Sequence, residues 1–487
     1  MKKITIVGSG TAGLITALVL RKAFPLKEIN IISSSKIGIV GVGEGSTEHW
    51  SNFMGLCEIP LGEMITESRA THKNGIRFEN WTFHTPDYFH SVANSDQVEP
   101  IGYYGLYNGL IKDGKTLTEN INSRAMIENK VRADNPHFSV NQFHFDTFKL
   151  NNYLSRICLY RNITVIDAEV IKVNLNPENG YIESVILDDL SFFESEFWID
   201  ATGMRRTLIS SVSDAKWNSF NKYLQMDSAI AFPTPSDPSG EIRPYTRARG
   251  MKNGWVWEIP TQDRRGNGYV YSSQHCTDDQ AVSEVSQLLG IDVEPARSFK
   301  FDPGHLKEFW VKNCVAVGLA AAFVEPIEAT SIGSTIQQAK CLMQNLGNYD
   351  INSKKMQEDY NKKMNIMMEN ILAMISLHYI SDRNDSEMWR QQQVMDKPDY
   401  LANLLELWQE RPPFYSDISS NNYEMFLVPH FYHVAQGQKL LSAERADEMI
   451  KSFGSEEMIR KIVSDAKLSQ TSHAKVDHAE SLRQIQI

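Results

Sequence analysis

The chain opens with two different spacings of apolar residues. Ile4, Ile6 and Val7 form a short apolar run that is typical of a buried strand. Glycines follow at once, and residues 14–24 then carry apolar side chains at the three- and four-residue spacing of a helix. The pattern therefore predicts a strand, a tight turn and a helix at the start of the chain.

Three further apolar runs predict strands of the same kind. Residues 28–32 read EINII, residues 197–200 read FWID, and residues 313–322 contain an apolar run that meets a glycine, where we expect a helix to begin. Short apolar runs that alternate with helical patterns are typical of an α/β protein with a parallel sheet. We therefore expect a Rossmann-type α/β fold of the kind that binds FAD or NAD(P).

The last third of the chain has helical periodicity. Residues 354–380 carry a methionine-rich apolar stripe, and more helical segments follow, interrupted by an Arg-Pro-Pro sequence. The polar residues 469–487 predict a loosely docked helix or tail. We expect two modules: residues 1–345, with inserted substrate-facing strands that include 215–300, and a mostly helical module, residues 346–487, that covers the substrate.

Composition excludes several classes of function. The chain has 487 residues and a formal net charge of −11, which argues against a nucleic-acid partner because a phosphate backbone requires a basic face. No run approaches the ~18 apolar residues of a membrane-spanning helix, and no signal peptide is apparent. Five scattered cysteines without metal-ligand spacing predict reduced thiols and no metal site. We therefore expect a cytoplasmic protein.

The first turn carries three glycines at the G-x-G-x-x-G spacing of a dinucleotide site. Gly8 permits the tight turn, Gly10 lets a pyrophosphate approach the backbone, and Gly13 lets the helix pack close to the strand. Thr11 and Ala12 then begin the helix whose N-terminus faces the phosphates. The alternative is a glycine-rich turn that only packs.

The end of the second strand favours FAD over NAD. Ser33 and Ser34 stand where NAD-binding proteins have the acidic residue that holds the ribose hydroxyl. No second G-x-G-x-x-G occurs in the chain, so a separate NADPH domain is not expected.

Four later segments belong together. They read IVGVGEGST at 39–47, THKNGIRFENW at 71–81, GWVWEIP at 254–260 and FVEPIEATSIG at 323–333. In this order they resemble the flavin-dependent halogenases, specifically the tryptophan-halogenase branch. That resemblance implies a flavin monooxygenase-like fold and a reaction in which reduced FAD, oxygen and halide give hypohalous acid.

The resemblance also assigns the cofactor contacts. The segment at 39–47 would run along the flavin, and the ends of two late strands would close over its ribitol and pyrophosphate. Besides the first turn, the assigned residues are Ser34, Ile37, Val40, Val42, Gly45, Asp200, Gly203, Leu319 and Ile332. A separate flavin reductase, bound transiently, would supply the reduced FAD.

Two residues are assigned to catalysis. Lys73 matches the family's catalytic lysine, whose ammonium would hydrogen-bond hypohalous acid or whose amine would form a haloamine once burial makes its charge adjustable. Glu328 matches the glutamate that assists the lysine and stabilises positive charge on the halogenated ring. The alternatives are a surface lysine and a capping box at a helix start, which would involve Glu325 as well as Glu328.

The same segment implies a halide site. Thr330 and Ser331 occupy the family's halide-binding Thr-Gly pair, at a helix start whose backbone N–H groups suit an anion. Because Ser331 replaces a glycine, we expect the halide pocket to be reshaped. Together with Gly45, which replaces an alanine, this departure indicates an outlying member.

Aromatic residues are assigned to the substrate side. Trp255 and Trp257 lie two apart, so in a strand their indoles share a face and would line a tunnel between flavin and substrate. The alternative is two core tryptophans. Phe431 and Tyr432 fall where the family has an aromatic pair that sandwiches its substrate, but no tryptophan aligns there, so free tryptophan is a doubtful substrate.

The resemblance therefore implies a halogenase that acts on a small, electron-rich aromatic substrate. Two alternatives stay open: an FAD-dependent aromatic monooxygenase, which the Trp255–Trp257 pair argues against, and a non-catalytic flavin-binding protein, which the presence of both Lys73 and Glu328 argues against. A homo-oligomer is compatible with each of them.

Overall fold

A computed structural model describes residues 1–39, 41, 44–91, 100–115, 126–132, 142–347, 353–418, 423–452 and 475–485, with isolated residues between 457 and 464. Val40 and Val42, two of the assigned flavin contacts, lie outside the described residues. Among the described residues, no helix combines the length and the apolar character needed to span a bilayer.

The strands are β1 Lys3–Val7, β2 Glu28–Ser33, β3 Glu44–Gly45, β4 Thr71–His72, β5 Gly75–Glu79, β6 Asp87–Ser91, β7 Lys130–Arg132, β8 Phe143–Phe145, β9 Thr164–Asp167, β10 Val170–Leu175, β11 Ile182–Leu187, β12 Phe192–Glu194, β13 Phe197–Asp200, β14 Trp217–Ser219, β15 Ser228–Pro235, β16 Thr246–Gly250, β17 Gly254–Pro260, β18 Arg264–Tyr271, β19 Arg297–Lys300, β20 Gly304–Leu306, β21 Trp310–Val311, β22 Cys314–Ala316, β23 Ala322–Phe323 and β24 Lys475–Asp477.

The α-helices are α1 Thr11–Ala23, α2 His49–Leu56, α3 Leu61–Ser68, α4 Pro100–Lys112, α5 Thr147–Tyr160, α6 Ile209–Val212, α7 Asp278–Leu289, α8 Thr330–Asn345, α9 Lys354–His378, α10 Glu387–Val394, α11 Asp399–Glu410, α12 Val428–Gly437, α13 Ala443–Ser452 and α14 His478–Ile485.

A six-stranded sheet in the order β21-β22-β13-β1-β2-β9 forms the Rossmann-type half. The apolar run of β1 makes it a central strand, parallel to β2 on one side and β13 on the other. Val7 at its end lies beside Ile32 and Asp200. Because the carboxyl ends of parallel strands open at one edge of a sheet, the chain's first turn lies over this edge, where α/β proteins bind their ligands.

The four predicted strands are present as β1, β2, β13 and β22, with one local difference after the last of them. The apolar run at 313–322 forms β22 and then a short 3-10 turn at Gly318–Ala320, where we expected a helix. Gly318 has a φ of +59°, a left-handed conformation that ends the strand and prevents direct entry into a helix. The long helix α8 begins only at Thr330.

A second, seven-stranded sheet has the order β19-β15-β18-β17-β16-β5-β6. It carries the tryptophan pair on β17, and β5 and β6 extend it. These two strands come from residues 75–91, and the other five, β15 to β19, come from the range 215–300. As a result, the loop that holds Lys73 enters the sheet directly at Gly75.

The helical part of the chain packs onto both sheets. One apolar core contains residues from Ile4 to Leu482, so both expected modules contribute to it, and the division at residue 345 stays a prediction. The expected loose tail is wrong for its described part. Strand β24 pairs with β7, and His478 is fully buried at the start of α14.

Candidate active site

The first turn has the geometry that its glycines predict. Gly8 has a φ of +110°, a positive value that favours glycine. A Cβ added at Gly13 would lie 2.0 Å from the Gly8 carbonyl oxygen, so α1 packs tightly against the turn. By contrast, a Cβ at Gly10 would meet nothing within 4 Å. The space above Gly10 is therefore open to a ligand.

A cleft of about 1170 Å³, including its open mouth, extends from this turn. The assigned residues that line it are Gly8, Gly10, Thr11, Ala12, Ser34, Ile37, Gly203, Leu319, Ser331 and Ile332. The start of α1 and its open backbone suit the pyrophosphate of a dinucleotide, so the cleft fits FAD.

Three assigned cofactor residues do not line this cleft. Gly13 acts through packing, as described above. The carboxylate of Asp200 is buried and accepts the backbone N–H groups of Thr202, Leu208 and Ile209. Asp200 therefore shapes the loop that carries Gly203. Gly45 faces the opposite way, toward Lys73: a Cβ there would meet the Lys73 amine nitrogen at 3.6 Å.

The cleft includes charged residues that the sequence did not single out. Glu44 lines it, and burial raises the pKa of this carboxyl to about 7. Arg205 and Glu169 also line the cleft, with an Nη1–carboxylate distance of 3.2 Å. These residues give the flavin site a charged edge.

Lys73 is buried rather than on the surface. Its amine donates a 2.8 Å hydrogen bond to the Ser46 carbonyl, and its side chain is 2% exposed. Burial lowers its pKa from 10.5 to about 8, while the charges of Glu328 and Glu48 oppose that shift. The lysine can therefore change its charge near neutral pH, which is the property the chemistry requires.

Glu328 is held by two histidines. The His90 Nδ1 donates to both carboxylate oxygens at 2.9 and 3.0 Å, and the His378 Nε2 donates to Oε1 at 2.7 Å. Burial opposes ionisation of this carboxyl, yet the two histidines hold its pKa well below the usual range. Glu328 is therefore a buried carboxylate in a fixed orientation.

Each histidine has a further partner. The His90 Nε2 lies 2.9 Å from the His430 Nδ1, and the His430 Nε2 lies 3.6 Å from a carboxylate oxygen of Glu48. On the other side, the Tyr88 hydroxyl lies 3.3 Å from the His378 Nδ1.

Sequence analysis missed this histidine cluster. His90 lies on β6, His378 ends α9, and His430 lies on α12, so no local spacing connects them. The sequence offers one weak signal: each of these histidines stands among apolar or aromatic residues, but this does not reveal which of them meet.

The halide segment forms the start of α8. The N-cap, Ala329, has a φ of +55° and no side chain caps the helix, so the capping-box interpretation of Glu325 and Glu328 is wrong. Thr330 is buried, and Ser331 in the first turn lines the FAD cleft. The first N–H groups of a helix have no partners within it, so this turn can receive an anion.

The tryptophan pair is buried beside a second glutamate. Trp255 and Trp257 have ring centroids 6.1 Å apart, and the Trp255 Nε1 donates to Glu325 at 2.7 Å. The Tyr379 hydroxyl donates to the same oxygen at 2.6 Å. Burial raises the pKa of Glu325 to about 7. Neither tryptophan lines the FAD cleft, so their place beside a tunnel stays a prediction.

Phe431 and Tyr432 belong to the core of the helical layer. Both are fully buried; Phe431 packs on Trp408, and the Tyr432 hydroxyl donates to the Pro413 carbonyl at 2.6 Å. Their contact with a substrate stays a prediction. It is their neighbour His430 on α12 that reaches the buried glutamate through His90.

A Rossmann-type flavin cleft beside a buried lysine and an ionised glutamate defines a flavin-dependent halogenase. The chain matches the tryptophan halogenase family over residues 3–454 and belongs to that family. It is an oxidoreductase-type enzyme of this class.

Relatives cover most of the chain. Tryptophan 6-halogenase SttH from Streptomyces toxytricini is 29% identical in an alignment of 444 residues that covers 84% of each protein. The structure of Xcc4156, a flavin-dependent halogenase from Xanthomonas campestris, is 29% identical and superposes with a TM-score of 0.88 over 99% of this chain and 98% of that one. A tryptophan halogenase from Shewanella frigidimarina, 25% identical, gives a TM-score of 0.90 over 100% and 98% of the two chains.

Proposed function

We propose that this protein halogenates an electron-rich aromatic ring with hypohalous acid formed at the FAD cleft and guided by Lys73. The observation that carries the proposal is the thinness of the wall between the cleft and the lysine. Glu44 lines the cleft while its neighbour Gly45 lies against Lys73. Likewise, Ser331 lines the cleft, and the charge of Glu328, three residues earlier, favours the protonated form of Lys73.

FAD, when bound in its reduced form, supplies the electrons that reduce oxygen and so allow halide oxidation. Lys73 would then hold hypohalous acid through a hydrogen bond from its ammonium group and direct the halogen toward the ring. As the ring's electron pair forms the carbon–halogen bond, hydroxide leaves and takes a proton from the ammonium. Glu328 stabilises the ring cation by its charge and accepts the proton that the ring loses; transfer of that proton to the Lys73 amine restores both groups.

The remaining assignments concern the halide and the separation of the substrate from the flavin. Thr330 and Ser331 would present the halide from the start of α8, and Trp255 and Trp257 would keep the aromatic substrate away from the flavin. The names of several relatives specify tryptophan as substrate, so tryptophan and simpler indoles are the first compounds to test. A separate reductase would deliver the reduced FAD.

The experiment combines chemically reduced FAD, oxygen and bromide with indole, tryptophan and phenol, and detects products by mass spectrometry. We expect a halide-dependent product from the wild type and none from Lys73→Ala, which should still oxidise reduced FAD. Lys312→Ala is the matched control, because Lys312 also donates to a carbonyl, that of Gly180, but lies in the turn between β21 and β22 of the Rossmann-type half.

The other outcomes separate the alternatives. A hydroxylated product that forms without halide would indicate an aromatic monooxygenase. Tight FAD binding with no modified product from any aromatic compound would indicate a flavin-binding protein. Turnover with NADPH and oxidised FAD in the absence of a reductase would contradict the proposed partner.

A further inference from the structure

The hydrogen-bonded chain from Glu328 to Glu48 contains a constraint on proton positions. Both oxygens of Glu328 face the His90 Nδ1, and an ionised carboxylate can only accept. The Nδ1 must therefore carry the proton. Burial lowers the pKa of His90 to about 4, so at neutral pH this ring has one proton only. Its Nε2 is consequently an acceptor.

His430 supplies the matching donor. Its Nδ1 lies 2.9 Å from the His90 Nε2 and, because that atom is an acceptor, must donate to it. The other nitrogen of His430 faces the carboxylate of Glu48 at 3.6 Å. The Glu48 carboxylate therefore lies on the side of the His430 ring that faces away from His90.

Glu48 is well placed to orient His430. It is half-buried, and the Gln142 Nε2 donates to its other oxygen at 3.1 Å. Burial would raise the pKa of Glu48, but His49 and His430 hold it at about 2. The outer end of the chain is therefore a fixed carboxylate close to the protein surface.

We propose that His430, oriented by Glu48, is a positioning residue that fixes His90 as the Nδ1–H tautomer and thereby keeps Glu328 ionised. Without the His430 donor, His90 can move its proton to Nε2, and a bare Nδ1 would then face the carboxylate. The inference rests on the proposed role of Glu328. The groups that face Glu328 are His90 from β6, His378 from α9, Lys73, and Tyr88 through His378.

The direct test measures the charge of Glu328. A protonated carboxyl has an infrared carbonyl stretch, and Glu328→Gln identifies the part of the signal that belongs to this residue. We expect no such band in the wild type between pH 8 and 5. In His430→Leu, which removes the donor, the band should appear within that window. In His430→Asn, whose amide can replace the Nδ1 donor, it should stay absent.

Halogenation should follow the same pattern. At pH 6 the His430→Leu enzyme should lose at least about tenfold in kcat relative to pH 8, the equivalent of one pKa unit, with little change in KM. The wild type and His430→Asn should lose much less. A general structural defect would lower the rate at every pH and would not be rescued by His430→Asn.

Two results overturn the proposal. One is a folded, FAD-binding His430→Leu variant with no carboxylic-acid band between pH 8 and 5. If that variant does not fold, the other result comes from Glu48→Gln, a change at a half-exposed position. Halogenation by Glu48→Gln that falls at the same acidic pH as in the wild type would overturn the proposal. If no protein makes product but the infrared band behaves as expected, the proposed function fails and this inference stands.

Discussion

His90 donates one N–H group to both carboxylate oxygens of Glu328, at 2.9 and 3.0 Å, although 238 residues separate them in the sequence. A shared bond of this kind fixes the plane of the carboxylate as well as its charge. Glu328 is thus aligned before any substrate arrives, which avoids the cost of reorganising it during the reaction.

The open space at Gly10 predicts a clean loss of cofactor binding. Gly10→Val places a side chain where the structure has no atom within 4 Å, so the chain should fold while FAD affinity falls at least about 100-fold, or roughly 2.7 kcal/mol. Gly55→Val is the matched control, because Gly55 is equally open but lies on α2. Flavin fluorescence titration measures both. Equal FAD affinity in the two variants would refute the assignment of the first turn.

Gly13 should behave differently from Gly10. A Cβ at Gly13 would lie 2.0 Å from a backbone oxygen that cannot move easily, so Gly13→Val is expected to destabilise the chain itself. A cooperative, wild-type melting curve for Gly13→Val would contradict the close packing of α1.

The buried amine of Lys73 predicts a conflict between stability and activity. Its pKa of about 8, against 10.5 in an exposed lysine, means that folding disfavours the charged form at pH 7. Lys73→Met should therefore raise the free energy of unfolding at pH 7, by roughly 1–3 kcal/mol, and abolish product. The gain should shrink above pH 8, where the folded wild type is already neutral. Urea unfolding at pH 7 and 9.5 tests the sign; a destabilised Lys73→Met variant at pH 7 would show that the ammonium is well satisfied.

Gly45 predicts a tolerated change toward the family residue. A Cβ there would meet the Ala329 Cβ at 3.4 Å and Lys73 side-chain atoms at 3.5–3.6 Å, which are ordinary van der Waals contacts. Gly45→Ala should stabilise the protein by about 0.4–1 kcal/mol by restricting the unfolded chain, and should leave product formation intact. A large loss of product with normal stability would show that Lys73 needs the space beside Gly45.

Ser331 predicts an altered halide preference. The residue lies in the first turn of α8 and lines the cleft, and its hydroxymethyl group occupies space beside the N–H groups that would bind the ion. We expect Ser331→Gly to change the ranking of chloride, bromide and iodide in product formation. The same ranking in both proteins would show that this position does not set selectivity.

His478 predicts a specific loss of stability in acid. Its Nε2 accepts the His72 backbone N–H at 3.0 Å and its Nδ1 donates to the Ile242 carbonyl at 3.0 Å, so the ring must be neutral. Burial lowers its pKa from 6.5 to about 4. The unfolded chain therefore binds more protons in this window, and stability falls as pH decreases from 6.5 to 4.

The measurement is the slope of unfolding free energy against pH. His478→Gln cannot titrate, so it should reduce this slope by up to about 1.4 kcal/mol per pH unit between pH 4 and 6.5. Arg483→Gln is the control, because Arg483 is an exposed residue of the same helix, α14. Equal slopes in His478→Gln and the wild type would mean that His478 is not buried as a neutral ring.

The elements that the sequence predicted are those whose physics is local. The first strand, the glycine turn and α1 follow from apolar spacing and from the backbone freedom of Gly8, and the helix at 354–378 follows from its apolar stripe. The family match then identified Lys73 and Glu328, because each lies within a distinctive short segment.

Tertiary structure alone decided what surrounds those two residues. His90, His378 and His430 come from a strand and two separate helices, and only the packing of the helical layer on the second sheet brings them to Glu328. Burial is equally non-local: it depends on what covers a side chain, and it lowers the pKa of Lys73. The sequence by itself determined which residues we propose for the chemistry, whereas the fold determined their charges, because charge depends on neighbours that no local spacing specifies.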